Sequence, residues 1–180
     1  MKKELHQEIE IPEGVEIKLD GGSVTAKGVA GEVQKKFDIG KLELKIKDKK
    51  ILIGYDKSTK REKKMMNTIA AHLRNMIQGV QKKFEYKLKI CFSHFPMSVE
   101  IKGNKVEINN FLGENIPRIV KIPEGAEVKI DGQIITISSL DKEIAGQAAA
   151  NFEKSTKIRT RDRRIFQDGI YITSKAGREI

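Results

Sequence analysis

The sequence predicts an α+β protein of two tandem similar domains, each an antiparallel β-sheet covered by one α-helix. Three observations predict it. Phrases from the first half of the chain recur in the second. Short runs alternate apolar and polar residues between glycine turns, as half-buried strands do. Two longer segments carry apolar residues at helical spacing.

The most visible repetition is not the repeat unit. IPEGVEIKLDG (11–21) and IPEGAEVKIDG (122–132) agree at eight of eleven positions, 111 residues apart. Yet residues 22–54 read as turns and strands, whereas SSLDKEIAGQAAANFEK (138–154) reads as a helix. A period of about 84 fits more of the chain. VEIK at 15–18 recurs at 99–102, and LELKIKDKKILI (42–53) aligns with AEVKIDGQIITI (126–137). In the second pair Glu43, Lys45, Ile46, Ile51 and Ile53 match Glu127, Lys129, Ile130, Ile135 and Ile137. Gly31-Glu32 matches Gly113-Glu114, and Ala70 to Leu73 matches Ala149 to Phe152. The units expected are 1–82 and 83–180, with residues 15–80 and 99–155 alike. IPEG is then a strand-entry phrase, placed before the first strand of one unit and the third of the other. Proline is tolerated at the start of a strand, and the glycine takes the bend.

Within each unit the order read is strand–turn–strand, a glycine-containing loop, strand–turn–strand, then one helix. Asp20-Gly21-Gly22, Gly103-Asn104 and Asp131-Gly132 mark the hairpins. Val99, Ile101, Val106 and Ile108 alternate with polar residues. In the first helix Met66, Ile69, Ala70, Leu73, Ile77 and Val80 form the apolar stripe, with Gly79 near its end. In the second the stripe is Ile144, Ala145, Ala148 and Phe152, after a start at Ser138, Ser139 and Asp141. A strand candidate follows each helix: FEYKLKICF (84–92) and GIYIT (169–173).

Charge points to a partner. The chain of 180 residues carries 35 Lys and Arg against 25 Asp and Glu, a net charge of +10. That balance favours a polyanion, nucleic acid before an anionic membrane. No run approaches the length of a membrane span, and no apolar stretch follows the N-terminal lysines as a secretory signal requires. Cys91 is the single cysteine, which excludes an internal disulfide and suits a reducing, cytoplasmic setting.

The charge is concentrated. Phe152 to Tyr171 is longer than the matching Leu73 to Tyr86, and the added residues lie in KIRTRDRRIFQDG (157–169). From Lys154 to Arg164 there are six basic residues and one acidic. A basic element added to one copy does not serve the shared core. A second cluster, KSTKREKK (57–64), holds five basic residues and one acidic at the start of the first helix.

RRIFQDGIYITSK (163–175), HLRNMIQGV (72–80), SHFPM (93–97) and NNFLGE (109–114) resemble the L-six family of large-subunit ribosomal proteins, in its archaeal and eukaryotic form. The resemblance runs through essentially the whole chain, and its C-terminal phrase is the most specific part. It implies two similar α+β domains, no catalysis and no cofactor. It also implies a structural place on 23S-type rRNA near the base of the factor-binding stalk, with neighbouring ribosomal proteins as further partners. The residues expected to bind rRNA are Lys157, Arg159, Arg161, Arg163, Arg164, Phe166, Gln167, Tyr171, Lys175 and Arg178. Secondary contacts are expected from Lys60, Arg61, Lys63, Lys64, Asn110 and Gly113.

Each of these residues also has a plainer reading. The arginines suit RNA because a guanidinium pairs two phosphate oxygens and stacks on bases, but a charge run also serves as a solvated loop. Tyr171 alternates with Ile170 and Ile172, so a core position competes with base stacking. Residues 57–64 read equally as a solvated helix start. Gly28, Gly31 and Gly113 suit tight connections. Asp168-Gly169 reads as a turn, and Cys91 as buried and inert. His72 reads as a structural histidine, and His6, His72 and His94 lack the spacing of a metal set. The function read from all this is a structural rRNA-binding protein of the large subunit. The competing reading is a free-standing nucleic-acid-binding or chaperone-like module. An enzyme acting on a nucleotide is disfavoured, because no acid, base or metal cluster stands out.

Overall fold

The computed structural model describes residues 3–47, 49–93, 95–159 and 161–180. His94 lies outside them. The chain divides into two compact units, Met1–Lys83 and Phe84–Ile180.

The first unit contains β1 (Lys3–Glu10), β2 (Glu16–Asp20), β3 (Ser23–Gly28), β4 (Gly31–Lys36), β5 (Glu43–Lys47), β6 (Lys50–Ser58) and α1 (Lys60–Gln81). They make two antiparallel sheets, ordered β2-β3-β4 and β1-β6-β5. The first hairpin closes where Asp20 pairs with Ser23, across Gly21 and Gly22. Both glycines have positive φ, 54° and 106°, which a Cβ would resist. Thr59 caps α1: its hydroxyl accepts from the Arg61 N–H, and Glu62 accepts from the Thr59 N–H at 2.8 Å. This reciprocal box satisfies donors that the first turn leaves open. The buried face of α1 comprises Met66, Ile69, Ala70, Leu73, Met76, Ile77, Gly79 and Val80. It holds every predicted stripe residue and adds Met76. These side chains meet Val24 and Ala26 of one sheet and Ile9, Ile51 and Ile53 of the other. Each unit thus carries a second sheet on the helix, beyond the single one expected.

The far end of α1 is closed by the β3–β4 turn. The Ala30 N–H donates to the Val80 carbonyl at 2.8 Å. Gly28 lies so close that a Cβ there would sit 2.7 Å from the same oxygen. The tight connection read at KGVAGE is therefore a helix cap with no room for a side chain. Gly28→Ala should cost about 1–3 kcal/mol as an overpacking change. Thermal melting of the variant checks it, and an unchanged melting temperature would refute the close approach.

The second unit contains β7 (Phe84–Cys91), β8 (Ser98–Lys102), β9 (Lys105–Asn109), β10 (Arg118–Lys121), β11 (Ala126–Asp131), β12 (Ile134–Ser139), α2 (Lys142–Ser155), β13 (Gly169–Lys175) and β14 (Arg178–Glu179). Its sheets are ordered β8-β9-β10 and β11-β12-β7-β13-β14. The Asp141 side chain caps α2 by accepting from the Glu143 N–H at 2.9 Å. Ala145, Ala148, Ala149 and Phe152 are its buried face. Ile144, predicted on the stripe, is half-buried beside Gly125.

Pairing order relates the two units strand by strand. β8-β9-β10 matches β2-β3-β4, and β11-β12-β7 matches β5-β6-β1. The two IPEG phrases precede β2 and β11, which are not equivalent, as the shorter period requires. They stand before the second strand of the first unit and the fifth of the second, because alternation alone does not count β1, β7 and β10 into the units. The offset is 84 between the β5–β6 turn and the β11–β12 turn, where Lys50 corresponds to Ile134. It is 82 at the first hairpin, where Gly21 corresponds to Gly103. The VEIK alignment is therefore two residues out of register.

The matching of FEYKLKICF with GIYIT as equivalent strands after the two helices requires a larger correction. β7 lies within Phe84–Ile180, on the second unit's side of the boundary read at 82/83. It is the first strand of the second and pairs with both β12 and β13. Tyr86 and Tyr171 consequently are not equivalent. The element unique to the second unit is everything after α2: the basic segment and the two strands that follow it.

Candidate RNA interface

The basic segment leaves α2 at Thr156 and enters β13 at Gly169, and both ends are tied down. The Thr156 side chain is buried; its hydroxyl donates to the Phe152 carbonyl at 3.3 Å and accepts the Ile170 N–H at 2.9 Å. One side chain thus links the end of the helix to the start of the strand. Ile158 is buried in the core beside them. At the far end the Asp168 carboxylate, 2% exposed, accepts from the Ser93 N–H at 3.0 Å and the Ser93 hydroxyl at 2.9 Å. The reading of Asp168-Gly169 as a simple turn gives way to this anchor, which fastens the segment to the chain just beyond β7. Asp168→Ala removes both bonds. It should destabilise the second unit by about 1–3 kcal/mol and speed amide exchange across 157–168. Asp168→Asn, which keeps an acceptor, should lose less; equal losses would show that the hydrogen bonds do not hold the segment.

Between the anchors the chain turns on Asp162. Its backbone oxygen accepts from the Phe166 N–H at 2.9 Å, and its side chain accepts from the Arg164 N–H at 2.9 Å. The Arg164 guanidinium bonds the same carboxylate, with Nη2 at 2.8 Å, and holds its pKa below the usual range. Arg163 donates to the Ile158 carbonyl at 3.3 Å. Arg161 lies over the Phe166 ring, 4.8 Å from its centre, a cation–π contact. Arg159, Arg161, Arg163, Arg164 and Lys157 are all exposed.

The segment forms one wall of an open groove of about 830 Å³, lined by Glu153, Lys154, Lys157, Arg159, Arg163, Phe166 and Tyr171 among others. Tyr171 does not take the core position that one of its two readings gave it. It points away from buried Ile170, is 42% exposed, and donates to the Gln167 carbonyl at 3.1 Å. Partial burial raises its phenol pKa. A ring held in place beside arginines suits stacking on a base. Phe166 is half-buried and packs on the core, so it serves as support for Arg161. Gln167 is exposed.

The remaining candidates lie elsewhere. Lys175 and Arg178 face each other across the β13–β14 turn and do not line the groove. Asn110 has φ of 56° and donates to the Pro96 carbonyl at 2.9 Å. Gly113, with φ of 78°, lies against the Phe95 ring. Both shape the 3₁₀ turn Phe111–Gly113. Lys60, Arg61, Lys63 and Lys64 are exposed on the first turns of α1, in the other unit. His72 is half-buried with its ring centre 5.7 Å from that of Phe37. Cys91 is half-buried at the end of β7, not fully buried as the alternation suggests. The β1–β6 pairing also brings together Glu4, His6 and Asp56, three exposed residues at one end of that ladder.

Arg118 carries no signal in the sequence, yet the structure gives it three partners. Its Nη1 donates to the Ser155 carbonyl at 2.6 Å, its guanidinium lies 4.2 Å from the Phe111 ring centre, and it pairs with Glu114 at 2.5 Å. A cation at the end of α2 complements the helix dipole. Only its neighbourhood in space marks it, since it is one arginine alone in its strand.

Among the described residues Ser58, Ser139, Thr156 and Asp168 are the buried polar or charged ones, and the last two serve as anchors. No helix among the described residues is long and apolar enough to cross a membrane. A doubled α+β framework with a braced, exposed arginine segment presents a surface suited to a polyanion. Comparison with known proteins supplies the particular family. The family model for ribosomal protein L6 matches residues 11–83 and 95–169, one match in each repeat. The chain is 44% identical over 174 residues to large ribosomal subunit protein uL6 of Methanococcus vannielii, covering 97% of this chain and 96% of that protein. It is 45% identical over 176 residues to the protein of the same name from Methanosarcina mazei, covering 98% and 100%. The chain belongs to the ribosomal protein L6 family, whose members are structural and not catalytic.

Proposed function

We propose that this chain is a structural component of the large ribosomal subunit that grips 23S-type rRNA through residues 157–167 and Tyr171, near the base of the factor-binding stalk and beside neighbouring ribosomal proteins. The observation that carries the reading is the pair of anchors at Thr156 and Asp168. They hold an arginine-rich segment at the surface without drawing its charges into the core. Binding of this kind works by releasing counterions from phosphates and fitting the shape of folded RNA. Family membership supports the ribosomal assignment. Pre-ordering the segment lowers the entropy lost on binding.

Sedimentation of the purified chain with large subunits across a salt series tests the assignment. Retention at salt that strips non-specific RNA binders is expected. A footprint on deproteinised large-subunit rRNA should then fall at the stalk base. Loss of the chain at low salt, or a diffuse footprint, would favour a free-standing nucleic-acid-binding module.

A further inference from the structure

The two units share one strand order, yet treat one sheet edge differently. In the second unit β7 is flanked on both sides, by β12 and by β13. Its counterpart β1 pairs with β6 alone, and among the described residues nothing pairs with its other edge. Only Lys82 and Lys83 separate α1 from β7, so no strand after α1 fills that place as β13 does after α2. We propose that the outer edge of β1 accepts an added strand from a partner polypeptide that is extended and rich in lysine or arginine.

Length and charge carry the proposal. β1 is eight residues long, and an uncovered edge of that length offers a row of unpaired N–H and C=O groups. Leu5 and Ile9 turn inward to the core, so a docked strand would extend a sheet already supported beneath. The opposite face of β1 presents Glu4, His6, Glu8 and Glu10, with Asp56 beside them on β6. Glu8 meets Lys50 at 3.1 Å, and His6 meets Glu4 at 2.9 Å. This acidic stripe in a chain of net charge +10 disfavours RNA as the occupant. It also disfavours a second copy, since pairing two β1 edges would bring glutamates together. A basic strand sets opposite charges across the new ladder. β13 shows the arrangement within the molecule: Gly169–Lys175 pairs antiparallel with the strand equivalent to β1.

The test uses the full chain and two blocked peptides as long as β1, one alternating lysine and valine, the other glutamate and valine. Amide hydrogen exchange is followed residue by residue. The lysine peptide should slow exchange at alternate amides of residues 4–10 by about tenfold, a free-energy change of about 1.4 kcal/mol. The glutamate peptide should not, and the chain should stay monomeric. Exchanging Glu4, Glu8 and Glu10 for lysine should reverse the preference. If that variant melts early, the two-peptide comparison on the unaltered chain decides alone. Equal protection by both peptides, or none, would overturn the proposal. So would β1 protection that depends on chain concentration alone, or that an rRNA fragment produces.

Discussion

Changing Arg159, Arg161, Arg163 and Arg164 together to alanine should lower affinity for a large-subunit rRNA fragment by orders of magnitude. The salt dependence should flatten as well. Every phosphate left without its guanidinium should reduce the slope by somewhat under one unit, by analogy with about 0.9 for duplex DNA and 0.7 for single strands. The four will not contribute equally. Arg164 already shares its charge with Asp162, and Arg163 is tethered to the Ile158 carbonyl. Arg159 lines the groove beside Tyr171, and its loss should be felt most. Circular dichroism and melting should barely move, because the segment is anchored through Thr156, Ile158 and Asp168. The matching change of Lys60, Arg61, Lys63 and Lys64 should do less. Those residues lie on the first turns of α1, where positive charge opposes the helix dipole, so their removal should slightly favour the helix. Binding measured across a salt series compares the two variants. If the second loses more affinity and more slope, the first unit is the main anchor on RNA.

Phe152→Ala should be the most damaging single core change in the second unit, at about 3–5 kcal/mol. The ring is 1% exposed and sits within the cluster that joins α2 to both sheets. Leu73→Ala, equally buried in the first unit, should cost about 2–5 kcal/mol. The units have separate cores, so each change should lower the melting of its own unit first. Unit-resolved hydrogen exchange during denaturant titration reads this out. If both cores loosen together after either change, the units do not unfold independently.

The helices were legible in sequence, because a three-to-four-residue apolar spacing leaves few alternatives to one buried face. Leu73 and Phe152 both lie where that spacing puts them. The strands were legible as strands, but not always in their register. A two-residue slip along a strand keeps every side chain on its proper face. VEIK at 15–18 therefore matches 99–102 in pattern while the turns place the hairpins 82 apart. Pairing partners were less legible still. Alternation in FEYKLKICF marks a strand after a helix, and says nothing of which sheet it joins. The basic segment stood out by charge. Its anchors did not, because the burial of Asp168 depends on Ser93, 75 residues away. Tyr171 stayed ambiguous for the same reason: alternation gives two faces and leaves open which of them is covered.

The central place of β7 also sets an order of events during synthesis. The first unit is self-sufficient once α1 is made, since each of its strands pairs with another made before that helix ends. The second unit cannot reach that point so early. β7 is made near residue 84, but one of its two neighbours is β13, which begins at Gly169. Until β13 docks, the edge of β7 stays open, Thr156 lacks the Ile170 N–H, and Asp168 has no fixed place beside Ser93. The arginine segment therefore acquires its shape only after most of the second unit has been made. A nascent chain would carry the charge for RNA well before it carries the geometry, and the docking of β13 converts one into the other.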